Sequence, residues 1–241
     1  MNLLIEARGE AVRYFEPNTT ALGLEDPDDL VGPDPVLLWL RMAAAGFADH
    51  PVDGAPRLAL LSSKFDQQQH LQRWLIDAEN MDRGQLRIVR NLLVASGVAE
   101  VAMYLEGSPQ PLPLHELAFP SCPTPLGVAG DYTPPDEDDI VRHRSLHIEL
   151  AVAHDAALAR RLCDDLDVWI EVVCRSGWCP EDEEPANAGA MPCAAYALDS
   201  HTVAVEFDGF FRVDEACFDA ISAYAHRLLA MDIQVASIGV S

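Results

Sequence analysis

The stretch that decides the fold of the C-terminal half begins with Thr202-Val-Ala-Val-Glu-Phe207 and ends with Ile233-Gln-Val-Ala-Ser-Ile-Gly-Val240. Apolar residues at alternate positions of the first segment predict a half-buried strand. Asp214 stands where a helix N-cap belongs, and apolar residues then recur every three or four positions, as they do on a helix with one buried face. The stretch therefore predicts a strand, a helix and a second strand.

The residues ahead of this stretch predict further strands and a capped helix. Residues 145–153 alternate and predict a strand, Asp155 is placed to cap a helix, and the apolar run at 168–174 predicts another strand. Residues 194–198 are expected to form a hairpin with 202–207. The predicted order is β-α-β-β-β-α-β, close to the split βαβ pattern of ferredoxin-like sandwiches.

The N-terminal half also predicts an α+β module, a small sheet backed by helices. A hairpin is expected at residues 7–10. A helix is expected after Asp34-Pro35, with a buried stripe of Val36, Leu37, Leu40, Ala43, Ala44 and Phe47. A second helix is expected after Ser62 or Ser63, with apolar positions at Phe65, Leu71, Trp74, Leu75 and Ala78, and a third from Leu86 to Gly97. Strands are expected at 58–61, as a short buried strand, and at 98–105. The helix–strand units at 86–105 and 217–240 resemble each other, although such a unit is common.

A proline-rich segment separates the two halves. Residues 107–135 contain eight of the 17 prolines of the chain and almost no periodicity, which favours an extended connection. The segment also carries apolar residues, so we expect it to pack along the surface. The predicted organisation is an N-terminal α+β module at 1–106, a surface-packed linker at 107–135 and an acidic ferredoxin-like α+β module at 136–241.

The charge of the chain is strongly negative. Only 16 basic residues, of which Lys64 is the one lysine, oppose 39 acidic ones, and the net charge is −23. Residues 136–241 hold 21 acids and seven bases. Such a surface repels nucleic acids and anionic membranes and attracts basic proteins. Solubility alone is the alternative explanation.

Two acidic runs in predicted loops are the candidate partner-binding residues. They comprise Asp136, Glu137, Asp138 and Asp139, and Glu181, Asp182, Glu183 and Glu184. Neither run has the alternating carboxylates and glycine of a calcium-binding loop. We therefore expect either a surface for a basic protein or simply solvated loops.

Cysteine and histidine offer a second, weaker candidate. Cys174, Cys179, Cys193 and His201 could form a tetrahedral zinc site, but their spacing lacks a Cys-x-x-Cys pair. Buried, reduced thiols are the favoured interpretation, and no cofactor is expected. His143 and His147 share one face of a predicted strand, where they lie too far apart to hold one ion.

The sequence contains none of the common catalytic or phosphate-binding motifs, including Gly-x-Ser-x-Gly and Gly-x-Gly-x-x-Gly. The N-terminus lacks the basic region of a signal peptide, so we expect a cytoplasmic protein. The favoured hypothesis is a non-catalytic acidic binding protein, an inhibitor of the immunity or antitoxin type that caps a basic toxin or effector enzyme. The alternative is a ferredoxin-like domain protein that senses a small ligand or is an enzyme.

Overall fold

The structure is a computed structural model of the 241-residue chain. It describes residues 2–15, 18, 34–48, 57–81, 84–117, 143–186, 194–208, 214 and 216–240. The N-terminal elements are β1 (Asn2–Arg8), α1 (Pro35–Ala45), β2 (Arg57–Asp66), β3 (Leu71–Glu79), α2 (Gln85–Ala95) and β4 (Glu100–Leu105). The C-terminal elements are β5 (His143–Leu150), α3 (Ala156–Cys174), β6 (Tyr196–Ala197), β7 (Thr202–Asp208), α4 (Ala216–Ala230) and β8 (Val235–Val240). Short 3-10 helices lie at Glu10–Tyr14 and Leu114–Glu116.

Both modules contain a four-stranded sheet in which every neighbouring pair of strands is antiparallel. The strand orders are β2-β3-β1-β4 and β6-β7-β5-β8, so each module places its third strand beside its first and its fourth strand on the other side. Each module runs β-α-β-β-α-β along the chain. The prediction of two α+β sandwich modules is confirmed, and the similarity of the two helix–strand units extends to the whole element order.

Aspartates begin three of the four helices, as predicted. The Asp34 carboxylate accepts hydrogen bonds from the backbone N–H groups of Val36 and Leu37, at 2.8 and 3.2 Å. Asp155 accepts from two N–H groups in the first turn of α3, and Asp214 accepts from the N–H of Ala216 at 3.0 Å. These bonds satisfy N–H groups that have no acceptor within the helix.

The inner faces of the two sheets are mostly apolar, although the buried Gln72 of β3 also lies there and forms hydrogen bonds with Asn18 and Ser63. Alternate residues of the central strands are buried, namely Leu3, Ile5 and Ala7 on β1, Trp74, Ile76 and Ala78 on β3, Leu146, Ile148 and Leu150 on β5, and Val203 and Val205 on β7. The helices cover these faces, and α1 of the first module contacts α3 of the second. The buried residues of both modules therefore form one continuous core.

An aromatic and polar contact also joins the modules. The rings of Phe47 and Tyr224 stack with their centroids 4.5 Å apart. The Tyr224 hydroxyl donates to Asp165 at 2.9 Å. Burial raises the pKa of Asp165, and burial together with this carboxylate raises the pKa of Tyr224. The Asp165 carboxylate gives the Tyr224 hydroxyl a hydrogen-bond partner, so this phenol can lie in the largely apolar contact between the modules.

Several predicted elements in the N-terminal half are wrong. The chain forms no hairpin at residues 7–10, because after β1 it enters a 3-10 helix and β1 pairs with the distant strands β3 and β4. The predicted helix from Ser62 to Ala78 is the hairpin of β2 and β3. Its turn begins at Asp66, whose carboxylate accepts from the N–H groups of Gln68 and Gln69 at 3.0 and 3.1 Å.

The predicted burial is wrong for one apolar segment and for part of another. The strand at 58–61 is not buried: it lies in β2, an edge strand, with Leu60 and Leu61 exposed by 38% and 53%. Of the stripe predicted for α1, Val36, Ala43 and Phe47 are buried, whereas Ala44 is exposed and Leu37 and Leu40 are only half-buried. The other buried residues of α1 are Pro35, Leu38, Trp39 and Met42. Nearly every position of this helix is apolar, so the sequence pattern does not distinguish its buried positions from its exposed ones.

The run at 168–174 is helix and not strand. It forms the last two turns of α3, which continues unbroken from Ala156 to Cys174. Its β-branched residues are buried, since the end of α3 lies between the two modules. An apolar run rich in β-branched residues is typical of strands, which is why the sequence predicts one here. Removing this strand gives the observed order β-α-β-β-α-β.

The described part of the linker, residues 107–117, packs on the N-terminal module. The backbone N–H of Leu112 donates to the carbonyl of Met103 on β4 at 2.7 Å, and Leu117 is buried. Residues 118–142 lie outside the described residues, so the module limits 1–106, 107–135 and 136–241 stay a prediction.

Candidate functional site

The loop that follows α3 displays four consecutive carboxylates. Trp178 and Cys179, in the loop, are 1% and 5% exposed, whereas Glu181, Asp182, Glu183 and Glu184 are all exposed. Trp178 packs beside Trp169 of α3, with the ring centroids 6.4 Å apart. The acidic run therefore begins three residues after Trp178, a side chain that is fixed in the core.

Helix α2 of the other module holds the base of this loop. The Arg87 guanidinium donates to the Cys179 carbonyl, and the Asn91 amide donates to the Gly177 carbonyl, both at 3.1 Å. Arg87 and Asn91 are buried, and buried carbonyls need such donors. A contact between modules thus fixes the position of the acidic run.

Gly177 is required by the closeness of this contact. A Cβ atom added there would lie 2.9 Å from the Val172 carbonyl oxygen and 3.2 Å from Cγ2 of Ile88, which belongs to α2. The first distance is too short for a real Cβ. The glycine lets the loop lie directly against both helices.

Charges of both signs meet at the Cys179 thiol. Burial, together with the nearby carboxylates of Glu183 and Asp182, raises its pKa to about 11, although Arg87 and Arg90 act in the opposite direction. The thiol is therefore protonated at neutral pH and is a poor nucleophile. The two arginines therefore lie close enough to the base of the run to oppose part of its negative charge there.

One of the two predicted acidic runs lies in the described part of the chain. Residues 136–139 lie outside it, so the role of Asp136, Glu137, Asp138 and Asp139 stays a prediction. Among the residues the structure covers, Glu181 and Glu184 make no ion pair.

The proposed zinc ligands occupy separate environments. Cys174 is buried at the end of α3, Cys179 is buried in the loop, and His201 is exposed in the turn between β6 and β7. Cys193 lies outside the described residues. Within the described ranges no group of three or more His, Cys, Asp or Glu side chains is arranged to hold a metal ion.

Sequence reasoning missed a polar cluster on the outer face of the C-terminal sheet. The His147 ring lies 2.8 Å from the Ser145 hydroxyl, through Nε2, and the Tyr196 hydroxyl donates to Glu206 at 2.7 Å. Ser145 and Glu206 are directly opposite each other in the sheet. Small residues, Ala204 and Gly239, flank His147 on the neighbouring strands. The alternation of residues 145–149 was the available signal, since it puts Ser145 and His147 on one face.

Comparison with known proteins gives no family for this chain. No protein-family model and no curated protein matches it. One solved structure, described as a "putative monooxygenase" from Lactobacillus acidophilus NCFM, aligns over 99% of this chain and 90% of its own, with 12% identity and a TM-score of 0.22. A TM-score of this size does not establish a shared fold, and nothing about this chain follows from it. Among the described residues, no helix is both long and apolar enough to cross a membrane.

Proposed function

We propose that this chain is a binding protein without catalysis of its own, and that it recognises a basic protein through the run Glu181–Glu184. The observation that carries the proposal is the position of the run: four exposed carboxylates begin three residues after Trp178, which is buried in the core. A charged run on a fixed loop loses less conformational entropy on binding than a run on a flexible tail would.

Electrostatic complementarity gives this surface its effect. An acidic patch on a chain of net charge −23 attracts a basic partner over several ångströms and rejects acidic ones. Such attraction chiefly raises the association rate, and salt screens it. An inhibitor of the immunity or antitoxin type, which caps the basic cleft of a toxin or effector enzyme, uses a surface of this kind.

The test compares the wild type with the variant Glu181→Gln, Asp182→Asn, Glu183→Gln, Glu184→Gln. Each protein is immobilised, incubated with host lysate at low and at high salt, and any captured basic protein is then purified for association kinetics. We expect the variant to associate at least about tenfold more slowly at low salt, because steering by close charges changes association rates by that order. The wild-type rate should fall steeply as salt is added.

A matched control removes the same charge elsewhere. Glu79→Gln, Glu100→Gln, Glu116→Gln and Asp164→Asn are also exposed and lie outside the loop. At about 0.1 M ionic strength this control should associate at the wild-type rate within about twofold, since charges beyond the Debye length of about 10 Å are then screened. Equal association rates for the loop variant and the wild type at low salt would end the proposal.

A specific observation favours one second candidate, a small-ligand site on the outer face of the C-terminal sheet. The half-exposed pair of Ser145 and His147, with Glu206 opposite and Tyr196 bonded to it, provides donors and acceptors on one surface. Hydrogen-bonding groups that converge in this way are typical of sites for polar ligands. If the loop variant captures the same partner at an unchanged rate, this face becomes the favoured binding site.

A further inference from the structure

The outer face of the N-terminal sheet carries a groove that the proposed function does not use. Strands β1, β3 and β4 contribute its floor, and Glu106, Ser108 and Pro109, which follow β4, line it as well. Its volume is about 430 Å³. Small-molecule sites in proteins measure about 300–1,000 Å³, so the groove is large enough for one small organic molecule.

The floor of the groove is apolar. Leu4 lies directly opposite Leu75 on β3 and Tyr104 on β4, so three half-buried side chains form a strip across three strands. Leu3 and Ile5, the neighbours of Leu4 on β1, point into the core, which fixes Leu4 on the outer face. An apolar body placed on this strip would cover surface that water now contacts.

The charged groups of the groove are carboxylates. Glu6 lies two residues from Leu4 on the same face and pairs with Arg73, whose Nε is 2.6 Å from the carboxylate. Glu106 accepts only long bonds from Asn2, at 3.4 Å from the backbone N–H and 3.5 Å from the side-chain amide. In the described part of the chain no basic side chain pairs with Glu106. The groove therefore keeps a negative charge that lacks a counter-ion.

Tyr104 adds a group that suits a cation. Its hydroxyl has no hydrogen-bond partner among the described residues, and it lines the groove together with Glu106, two residues further along the chain. The face of a tyrosine ring attracts ammonium groups. A carboxylate and an aromatic face next to an apolar strip select for a ligand with one charged end.

We propose that this groove binds a small organic cation, in which an ammonium group is joined to an apolar body such as an aromatic ring. The body lies on Leu4 and Leu75, and the ammonium group lies between the Tyr104 ring and the Glu106 carboxylate. An anion of the same shape is excluded, since both carboxylates of the groove and the net charge of −23 repel it.

The test uses three probes that share a phenylethyl body and differ in the group at its end: cationic 2-phenylethylammonium, neutral 2-phenylethanol and anionic 3-phenylpropionate. The full chain, labelled with ¹⁵N, is titrated with each probe, and the backbone amide shifts of Leu4, Tyr104 and Glu106 are followed. We expect saturable shifts with the ammonium probe at millimolar concentrations or below. The alcohol should bind at least about threefold more weakly, the size of one exposed cation–π and ion contact, and the anion should cause no shift.

Two variants on or beside β4 separate the groove from general charge. Glu106→Gln should weaken the ammonium probe about threefold and leave the alcohol unchanged. Glu100→Gln removes the same charge from an exposed residue at the start of β4, outside the groove, and should change neither. Both residues are exposed, so unchanged spectra elsewhere will show that the fold is intact.

Four outcomes would overturn the proposal. They are the absence of shifts up to about 10 mM ammonium probe, shifts confined to another surface, equal affinity for the amine and the alcohol, and equal weakening by Glu100→Gln. A fifth observation would replace the ligand by a second copy of the chain: shifts of Leu4 and Tyr104 that depend on protein concentration when no probe is present. The failure or success of the acidic-loop test affects none of these results.

Discussion

The burial of Asp34 predicts an unusual dependence of the free energy of unfolding on pH. Its carboxylate is 2% exposed and accepts hydrogen bonds from Trp74 Nε1 and the Val36 N–H, both at 2.8 Å, and from the Leu37 N–H at 3.2 Å. These donors favour the ionised carboxylate, but its burial outweighs them and raises the pKa from 3.8 to about 6. The native state therefore holds this proton more tightly than the unfolded chain does.

The sign and the size follow from proton linkage. Between pH 4 and pH 6 the native state binds one proton at Asp34 that the unfolded state has released, so the free energy of unfolding falls as the pH rises. Each pH unit costs about 1.4 kcal/mol, and the interval between the two pKa values gives a loss of about 3 kcal/mol. This stabilisation is complete below about pH 4 and absent above about pH 6.

Urea unfolding of the wild type and of Asp34→Asn, from pH 4 to pH 7, measures this effect. The variant has no charge at this position, so subtracting its free energy removes the contributions of the other carboxylates, and any lost hydrogen bond adds only a constant. We expect the wild type to lose about 3 kcal/mol relative to the variant over this range. A difference that stays constant with pH would refute the role of burial, and a wild type that gains would show that the three donors dominate.

Two further predictions test the contact between the modules. A protease site engineered between Gly107 and Ser108, in an exposed turn, allows the chain to be cut between the modules. The two fragments should still elute together in size-exclusion chromatography, because Phe47 stacks on Tyr224 and the modules share one core; separate elution would contradict this. Asn91→Leu should lower the free energy of unfolding, measured in urea, by about 1–3 kcal/mol, since it leaves the buried Gly177 carbonyl without its donor. The exposed control Gln68→Ala should cost under about 0.5 kcal/mol, and equal losses for the two variants would refute the importance of this bond.

Local signals were enough to predict most helices. Asp34 with Pro35, Asp155 and Asp214 each supply a capping carboxylate, and all three stand at the start of an observed helix. Capping is a contact between residues two or three positions apart, so sequence alone contains both partners. The strand at 202–207 was predictable for a similar reason, because its alternation reflects one buried face.

Elements that depend on distant partners were not predictable. In residues 62–78, Trp74, Ile76 and Ala78 follow a strand period, but Leu71 and Leu75 also fit a helical one, and only pairing with β1 decides between them. The end of α3 is buried on all sides by the other module, which gives residues 168–174 the continuous apolar character of a buried strand. The Arg87 and Asn91 anchors join residues 92 and 86 positions apart, respectively, and no local pattern announces such contacts.

The two modules together indicate why the acid excess deserves a functional test. They share one element order and one strand order, yet residues 136–241 hold 21 acids and seven bases while residues 1–106 hold 16 and nine. Since the scaffold folds with the smaller excess, the fold does not require the larger one. The described acidic run also stands at the seam between the modules, held by Arg87 and Asn91 from the first module and by Trp178 in the shared core. A change that loosens the seam should therefore displace the run as well, so stability at the seam and binding by the loop are expected to fall together.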